Sequence, residues 1–343
     1  MSATAIVGGQ YGSEGKGAVV AALAHEFDAA VRTGGPNAGH SLWHDGRVYK
    51  MRQVPCTWIG RGPLILGAGA TVDLQVLGDE ILDTGVDPAR IQIDRNAVLI
   101  THQDRVAEAE SALTKMGSTL EGVGAARVKK IRRDVQSFPL MRHAYGDSTD
   151  TVQLLWEMLN RGQHVLLEGT QGSGLSLHHG LWPYVTSNDT NAGQLLADAG
   201  IAPGWLEHTL LVVRTYPIRV GGPSGPMPGG EIEFTDIPGN VEPERTTVTK
   251  RVRRISGWDQ EVVNRAVMLN DPCGIVVTFT DYLDPAIRGE TIPALIRSKP
   301  IYVFLRQLYR ETRVPVVMLG TGGERFSMVP WGPCKHEKEW IPQ

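Results

Sequence analysis

The chain is predicted to be an α/β protein with one large, mostly parallel β-sheet flanked by helices, and three observations carry that expectation. Short β-branched or leucine-rich runs alternate with helical patterns along the chain, as they do where parallel strands are covered on both faces. A glycine-rich loop joins the first such run to the first helix, the layout of a phosphate-binding βα unit. No internal repeat or low-complexity linker interrupts the sequence. At roughly 150 residues per domain the 343 residues would make two domains or one large α/β unit, and a single domain over 1–343 is expected.

The elements follow in order. Residues 4–7 read as a strand, 8–17 as the loop and 18–27 as an alanine-rich helix. Further strands are predicted at 64–66, 97–100, 164–167, 209–213, 275–278 and 314–318, and helices at 71–84, 149–161, 258–269 and 300–311. The glycine- and proline-rich stretch 221–230 and the acidic stretch after it read as a surface loop. Ligands of such a sheet belong outside the carboxyl ends of its strands.

Composition narrows the function. With 41% hydrophobic and 21% charged residues, the chain is neither disordered nor fibrous. Its 34 Lys+Arg against 37 Asp+Glu leave a formal charge of −3, which argues against a dedicated nucleic-acid or membrane-surface binder. No apolar run reaches the roughly 18 to 20 residues of a membrane span, and residues 1–9 lack the pattern of a secretory leader, so a cytoplasmic location is expected. Cys56, Cys273 and Cys334 are widely spaced and odd in number, and are read as isolated thiols, neither a disulfide framework nor a zinc site. The 40 glycines exceed the usual roughly 7%. They cluster in short loops, each a candidate ligand site.

Two loops carry most of the chemistry. In Gly8-Gly9-Gln10-Tyr11-Gly12-Ser13-Glu14-Gly15-Lys16-Gly17, successive amides before a helix form a surface for phosphate, and Lys16 adds a point charge. Gln10 and Gly17 depart from a Walker A loop, which needs glycine and Ser or Thr at those places. In Thr33-Gly34-Gly35-Pro36-Asn37-Ala38-Gly39-His40-Ser41, the histidine is placed on a loop, where it serves as a general acid or holds a phosphate oxygen.

Together these segments closely resemble adenylosuccinate synthetase, whose phosphate loop reads G-x-Q-[WY]-G-D-E-G-K-G and is followed by G-G-x-N-A-G-H-T. The resemblance continues through Glu168-Gly169-Thr170-Gln171-Gly172, His179-Gly180, Pro183-Tyr184-Val185-Thr186-Ser187, the basic segment 246–258, the segment 278–284 and the glycine-rich 320–325. It implies a P-loop-related fold and a two-step ligation. The γ-phosphate of a nucleoside triphosphate passes to the 6-oxo group of a purine monophosphate, and the amine of L-aspartate then displaces phosphate from C6.

The resemblance also implies roles. The triphosphate falls to Gly12, Glu14, Gly15, Lys16, Gly17, Gly39, His40, Ser41, Asp281 and Gly322, with Lys16, His40 and Ser13 at the reacting centre. Ser13 and the Gly39 carbonyl match positions that hold Mg²⁺. The purine monophosphate falls to Ser13, Asn37, Thr119, Gln171, Thr186 and Arg251, with Arg133, or Arg132 in its place, as a cross-subunit phosphate contact in a homodimer. Thr247, Val248, Thr249, Arg251 and Arg253 match the aspartate-binding segment, where planar arginine forks suit carboxylates.

Two positions depart from the family pattern. Ser13 stands where the family has the aspartate that removes the N1 proton of IMP and helps bind Mg²⁺. A serine hydroxyl is no general base at neutral pH without activation. It does leave room for an amino group at C2 of the purine. The expected substrate is therefore dGMP or GMP, as in the phage-type 2-aminoadenylosuccinate synthetases that this serine resembles, which would place the chain in a viral host's cytoplasm. What replaces the base stays open among solvent, an activated Ser13 and the departing phosphate. Phe279 replaces a lysine two residues before Asp281, which weakens the expectation of GTP and favours ATP or dATP. A conventional synthetase acting on IMP with GTP, and a noncatalytic nucleotide sensor, are the competing expectations.

Overall fold

The computed structural model describes residues 2–134, 142–143, 145–239, 241–246, 250–322 and 326–335. Its centre is an 11-stranded sheet. In spatial order the strands are Ser327–Pro330, Val316–Gly322, Gly274–Thr278, Leu206–Arg214, Ala3–Gly8, Val165–Glu168, Ala29–Arg32, Leu64–Leu66, Ile91–Asp94, Gly146–Thr149 and Arg142–His143. Every internal pairing is parallel, and only the outermost strand at each edge runs antiparallel.

Alternate side chains of the central strands enter two separate cores, which is why these strands read as nearly continuous apolar runs. Ala5, Val7, Val165, Leu167, Leu211, Val213, Ile275 and Val277 face one core. Ile6, Leu166, Leu210, Val212 and Val276 face the other. The first core is closed by helices Thr151–Asn160, Ala192–Ala199, Gln260–Asn270 and Lys299–Thr312, whose Leu155, Leu159, Leu195, Val263, Ile301, Leu305 and Leu308 recur at helical spacing. Helices Lys16–Ala22 and Leu74–Thr84 cover the second. Each fully buried Val, Leu or Ile contributes about 1.5–3 kcal/mol. Side chains of Asp73, Asp150, Asn191, Asp259 and Ser298 cap the helices they precede.

Most predicted elements are present, with three physical differences. The run at 97–100 forms no main-sheet strand: Val98–Leu99 pairs with Thr71–Val72 in a separate ribbon, which also takes the first residues of the helix expected from 71. Ala29–Arg32 and Ile91–Asp94 enter the sheet although their alanine and polar residues weaken the strand pattern. The first helix ends at Ala22, and Ala24–Glu26 is a 3₁₀ turn. Residues 221–230 form the expected loop beside a small sheet of Ile218–Arg219, Arg254–Ser256 and Glu231–Ile232. No helix among the described residues is long and apolar enough to cross a membrane.

Candidate active site

Gly8, Arg32, Glu168, Arg214 and Thr278 are each the last residue of a parallel strand, and they converge on one end of the sheet. The glycine-rich loop leaves Gly8 there and folds around a carboxylate of its own. Glu14 Oε1 accepts from the amides of Gln10 (3.1 Å) and Gly12 (2.8 Å), while Glu14 Oε2 takes the Lys16 ammonium at 2.6 Å. Lys16 also donates to the Gln171 carbonyl, which the positive φ of Gln171 (54°) turns toward it. Glycine is needed at 172 because a Cβ there would collide with Glu14 Oε1 and the Gln10 carbonyl. It is needed at 17 because a Cβ would sit 2.7 Å from the Ser41 carbonyl and 2.8 Å from His40 Cβ. This close approach explains Gly17, one of the two departures from a Walker loop.

His40 opens the strand His40–His44 of a two-stranded hairpin and does not sit on a free loop. Its Nδ1 lies 2.5 Å from Glu168 Oε1, and Arg32 Nη1 reaches the same oxygen at 2.9 Å. The Cys56 amide donates to Glu168 Oε2 at 2.7 Å, and Arg32 Nη2 donates to the Ala38 carbonyl at 2.9 Å. All five residues are buried. Burial, then the Arg32 charge, push the His40 pKa down to about 4 against the pull of Glu168. Glu168 is itself held at about 2: burial would raise it, but Arg32, His40 and the Cys56 amide outweigh that. A neutral imidazole donating Nδ1–H to Glu168 presents an unprotonated Nε2.

Arg214 is fully buried and ties the loop to the far side of the site. Its backbone N and O pair with the Gln10 side-chain amide at 2.9 and 3.0 Å. Its guanidinium donates to the Ser13 carbonyl at 3.2 Å, pairs with Glu244, and covers the Phe279 ring at 3.8 Å. Arg219, also buried, stacks over Tyr11 at 4.6 Å, and the Tyr11 hydroxyl donates to Asp259 at 2.8 Å.

Two clefts open on this framework. The larger, about 440 Å³, is lined among others by Ser13, Asn37, Thr119, Gln171, Thr186 and Arg219. The smaller, about 330 Å³, is lined among others by Gly15, Gly17, Ser41, Phe279, Gly320 and Gly322. Both volumes are of the size that takes small-molecule ligands. Ser13, Lys16, Gly39, His40 and Arg253 line both clefts and form their common wall. Asn37 Oδ1, Arg253 Nε and Asp281 Oδ1 are buried without a hydrogen-bond partner among the described residues. At the clefts such orphans leave hydrogen-bonding capacity that a ligand can use.

The sequence-predicted residues divide accordingly. Gly12, Ser13, Asn37, Thr119, Gln171 and Thr186 lie on the larger cleft, and Glu14, Gly15, Gly17, Ser41 and Gly322 on the smaller. Asp281, expected at the triphosphate, does not line the smaller cleft but lies against Gly322, which does. Its Oδ2 takes Arg288 Nε at 3.1 Å, and burial raises its pKa to about 6. Phe279 reaches the smaller cleft with one ring face already covered by Arg214. Arg251, Arg132 and Arg133 are exposed and line neither cleft of their own chain. Thr247, Val248 and Thr249 lie outside the described residues. Arg32, Arg214, Arg219 and Glu244 belong to no sequence motif, and Glu168 stands inside one without a role of its own. For Arg32, Glu168 and Arg214, a charged residue ending an apolar strand was the available signal.

The fold and site define a nucleotide-handling α/β protein in which a phosphate loop is shared by two adjoining clefts. Comparison with known proteins specifies it further. The family model described as adenylosuccinate synthetase matches residues 5–145 and 140–288. The chain is 37% identical over 336 residues to the adenylosuccinate synthetase of Methanococcus aeolicus, covering 94% of this chain and 98% of that one. It is 35% identical to that of Archaeoglobus fulgidus, covering 94% and 96%. The chain therefore belongs to the adenylosuccinate synthetase family and is a carbon–nitrogen ligase. Among solved structures it is similar to the succinoaminodeoxyadenylate synthetase (PurZ) of cyanophage S-2L, bound to dGMP and dATP as an energy donor, with TM-score 0.82, 28% identity and coverage of 96% and 95%. The fully ligated Plasmodium falciparum adenylosuccinate synthetase shares the fold, with TM-score 0.87 at 19% identity.

Proposed function

We propose that this ligase joins L-aspartate to C6 of dGMP or GMP with ATP or dATP as phosphoryl donor. The observation that carries the proposal is the place of Ser13: a short, uncharged side chain stands on the wall common to both clefts, where the family pattern has a carboxylate. A carboxylate there would crowd a C2 amino group or grip N1–H and N2–H together, strengthening the ground state without helping the proton leave. The cyanophage relative, described as bound to dGMP and dATP, supports the same choice.

In this assignment the smaller cleft takes the triphosphate and the larger the purine monophosphate, with the γ-phosphoryl group crossing at Lys16 and His40. Lys16 and the loop amides hold the phosphates, and His40, once protonated, donates from Nε2 to the oxygen being phosphorylated. Arg253 meets an aspartate carboxylate from the common wall, joined by Arg251 and residues 247–249. The donor set at the wall fits Mg²⁺: Ser13 and Gly39 offer neutral oxygens, and Glu14 is committed to Lys16, so most of the ligands come from phosphate. Mg²⁺ bound there neutralises phosphate charge. The chain acts as a homodimer in which Arg133, or Arg132, reaches the partner's monophosphate.

A second reading, an ordinary synthetase on IMP with GTP, is favoured by the descriptions of the archaeal relatives. Incubation with Mg²⁺, aspartate, each of ATP, dATP and GTP, and each of dGMP, GMP and IMP, separates the two by product mass. Turnover of IMP with none of dGMP or GMP overturns the proposal.

A further inference from the structure

Cys273 and Cys334 are not the isolated thiols that their spacing implied. Their sulfurs lie 2.8 Å apart, and His208 completes a group whose three ligand atoms all fall within 4.8 Å of one another. Both cysteines are buried, at 8% and 3% exposure. From this convergence we infer a binding site for a thiophilic divalent cation of the Zn²⁺ type, held by His208, Cys273 and Cys334.

The backbone fixes the three donors from separate parts of the chain. His208 lies early in the strand Leu206–Arg214, Cys273 immediately precedes Gly274–Thr278, and Cys334 follows the edge strand Ser327–Pro330. The Cys273 amide donates to the Thr209 carbonyl at 3.0 Å, and the Lys335 amide to the Cys273 carbonyl at 2.8 Å. The group therefore sits at the amino ends of the parallel strands, opposite the nucleotide clefts. Two thiolates and an imidazole are the donor set that zinc prefers, and oxygen-seeking Mg²⁺ does not compete for it.

Two thiolates on one zinc, at Zn–S of about 2.3 Å, stand roughly 3.7 Å apart. Loading therefore opens the pair by about 1 Å, with the displacement falling on Cys334 beyond the sheet edge. Thiol protons leave to solvent as the metal binds, so affinity rises with pH. The bound ion fastens the chain after Pro330 to the middle of the sheet, which makes it a structural ion independent of turnover.

The test uses the full chain, reduced and freed of metal. Titration with Zn²⁺ alone in excess Mg²⁺ is expected to give one equivalent bound and a higher Tm, and Co²⁺ to give thiolate-to-metal charge-transfer absorption. Cys334→Ser and His208→Ala should each weaken binding by about tenfold or more. Cys334→Ser, at the sheet margin, keeps the test open if an interior variant fails to fold. Absence of stoichiometric Zn²⁺ binding by the reduced wild type overturns the site. So does isolation of the chain with Cys273 and Cys334 oxidised to a disulfide that reductant does not open, or Zn²⁺ binding that neither variant alters.

Discussion

His40 Nδ1 stands 2.5 Å from Glu168 Oε1, an oxygen that also receives Arg32 at 2.9 Å. One carboxylate thus sets the tautomer of the histidine and neutralises a buried guanidinium. Glu168→Gln keeps the shape but removes the charge that supports an imidazolium. We expect kcat to fall by on the order of 100-fold, with KM for the triphosphate changed far less, in steady-state assays of product formation. An unchanged kcat would remove Glu168 from the reacting assembly.

The depressed pKa of His40 has a signature in stability. The folded value, about 4, lies below the ordinary 6.5, so between those limits the unfolded chain binds more protons than the folded one. Stability from this group is full above pH 6.5 and is lost as pH falls toward 4, up to about 3 kcal/mol. Urea midpoints measured across this window should decline for the wild type and decline less for His40→Gln. Glu168, held below its usual value, adds a further loss beneath pH 4.5.

The same histidine should take up a proton when nucleotide binds. Negative phosphate beside Nε2 favours the imidazolium that donation requires. Calorimetry of ATP binding near pH 6.5, in two buffers of different ionisation enthalpy, is expected to show net proton uptake by the wild type and less by His40→Gln. Equal apparent enthalpies in both buffers would count against a protonated His40.

Ser13→Asp restores the carboxylate of the family pattern on the common wall. We expect the ratio of kcat/KM for IMP over dGMP to rise by about tenfold or more, since a misplaced polar group against a purine amine costs a few kcal/mol. Unchanged substrate ratios would defeat the steric account of the serine.

Arg214 is fully buried, whereas Glu244 keeps about a fifth of its surface in solvent. Arg214→Met should therefore destabilise the fold by about 3 kcal/mol, toward the lower end for a broken buried pair. It should also loosen the loop, because the guanidinium holds the Ser13 carbonyl. Thermal unfolding and the KM for the triphosphate report the two effects separately.

The sheet was legible because strands buried on both faces leave long apolar runs, as at 209–213 and 275–278. Ala29–Arg32 was not, because alanine carries little β signal, and its strand character comes from parallel neighbours far away in sequence. The loop residues of both clefts were legible through motif spacing. The charges beneath them were not: Arg32, Arg214 and Glu244 act through partners up to 201 residues distant, and no local pattern records such pairing. Cys273 and Cys334, 61 residues apart, illustrate the same limit.

Glu14 occupies the inside of the phosphate loop as a built-in anion, meeting two backbone amides and the lysine before any ligand arrives. The loop therefore has a folded shape of its own, and little conformational entropy is left to be lost when a triphosphate docks. Lys16 is screened in the resting state, so an incoming phosphate competes with Glu14 for it. The internal carboxylate thus sets a threshold, passed only by an anion with further contacts along the loop.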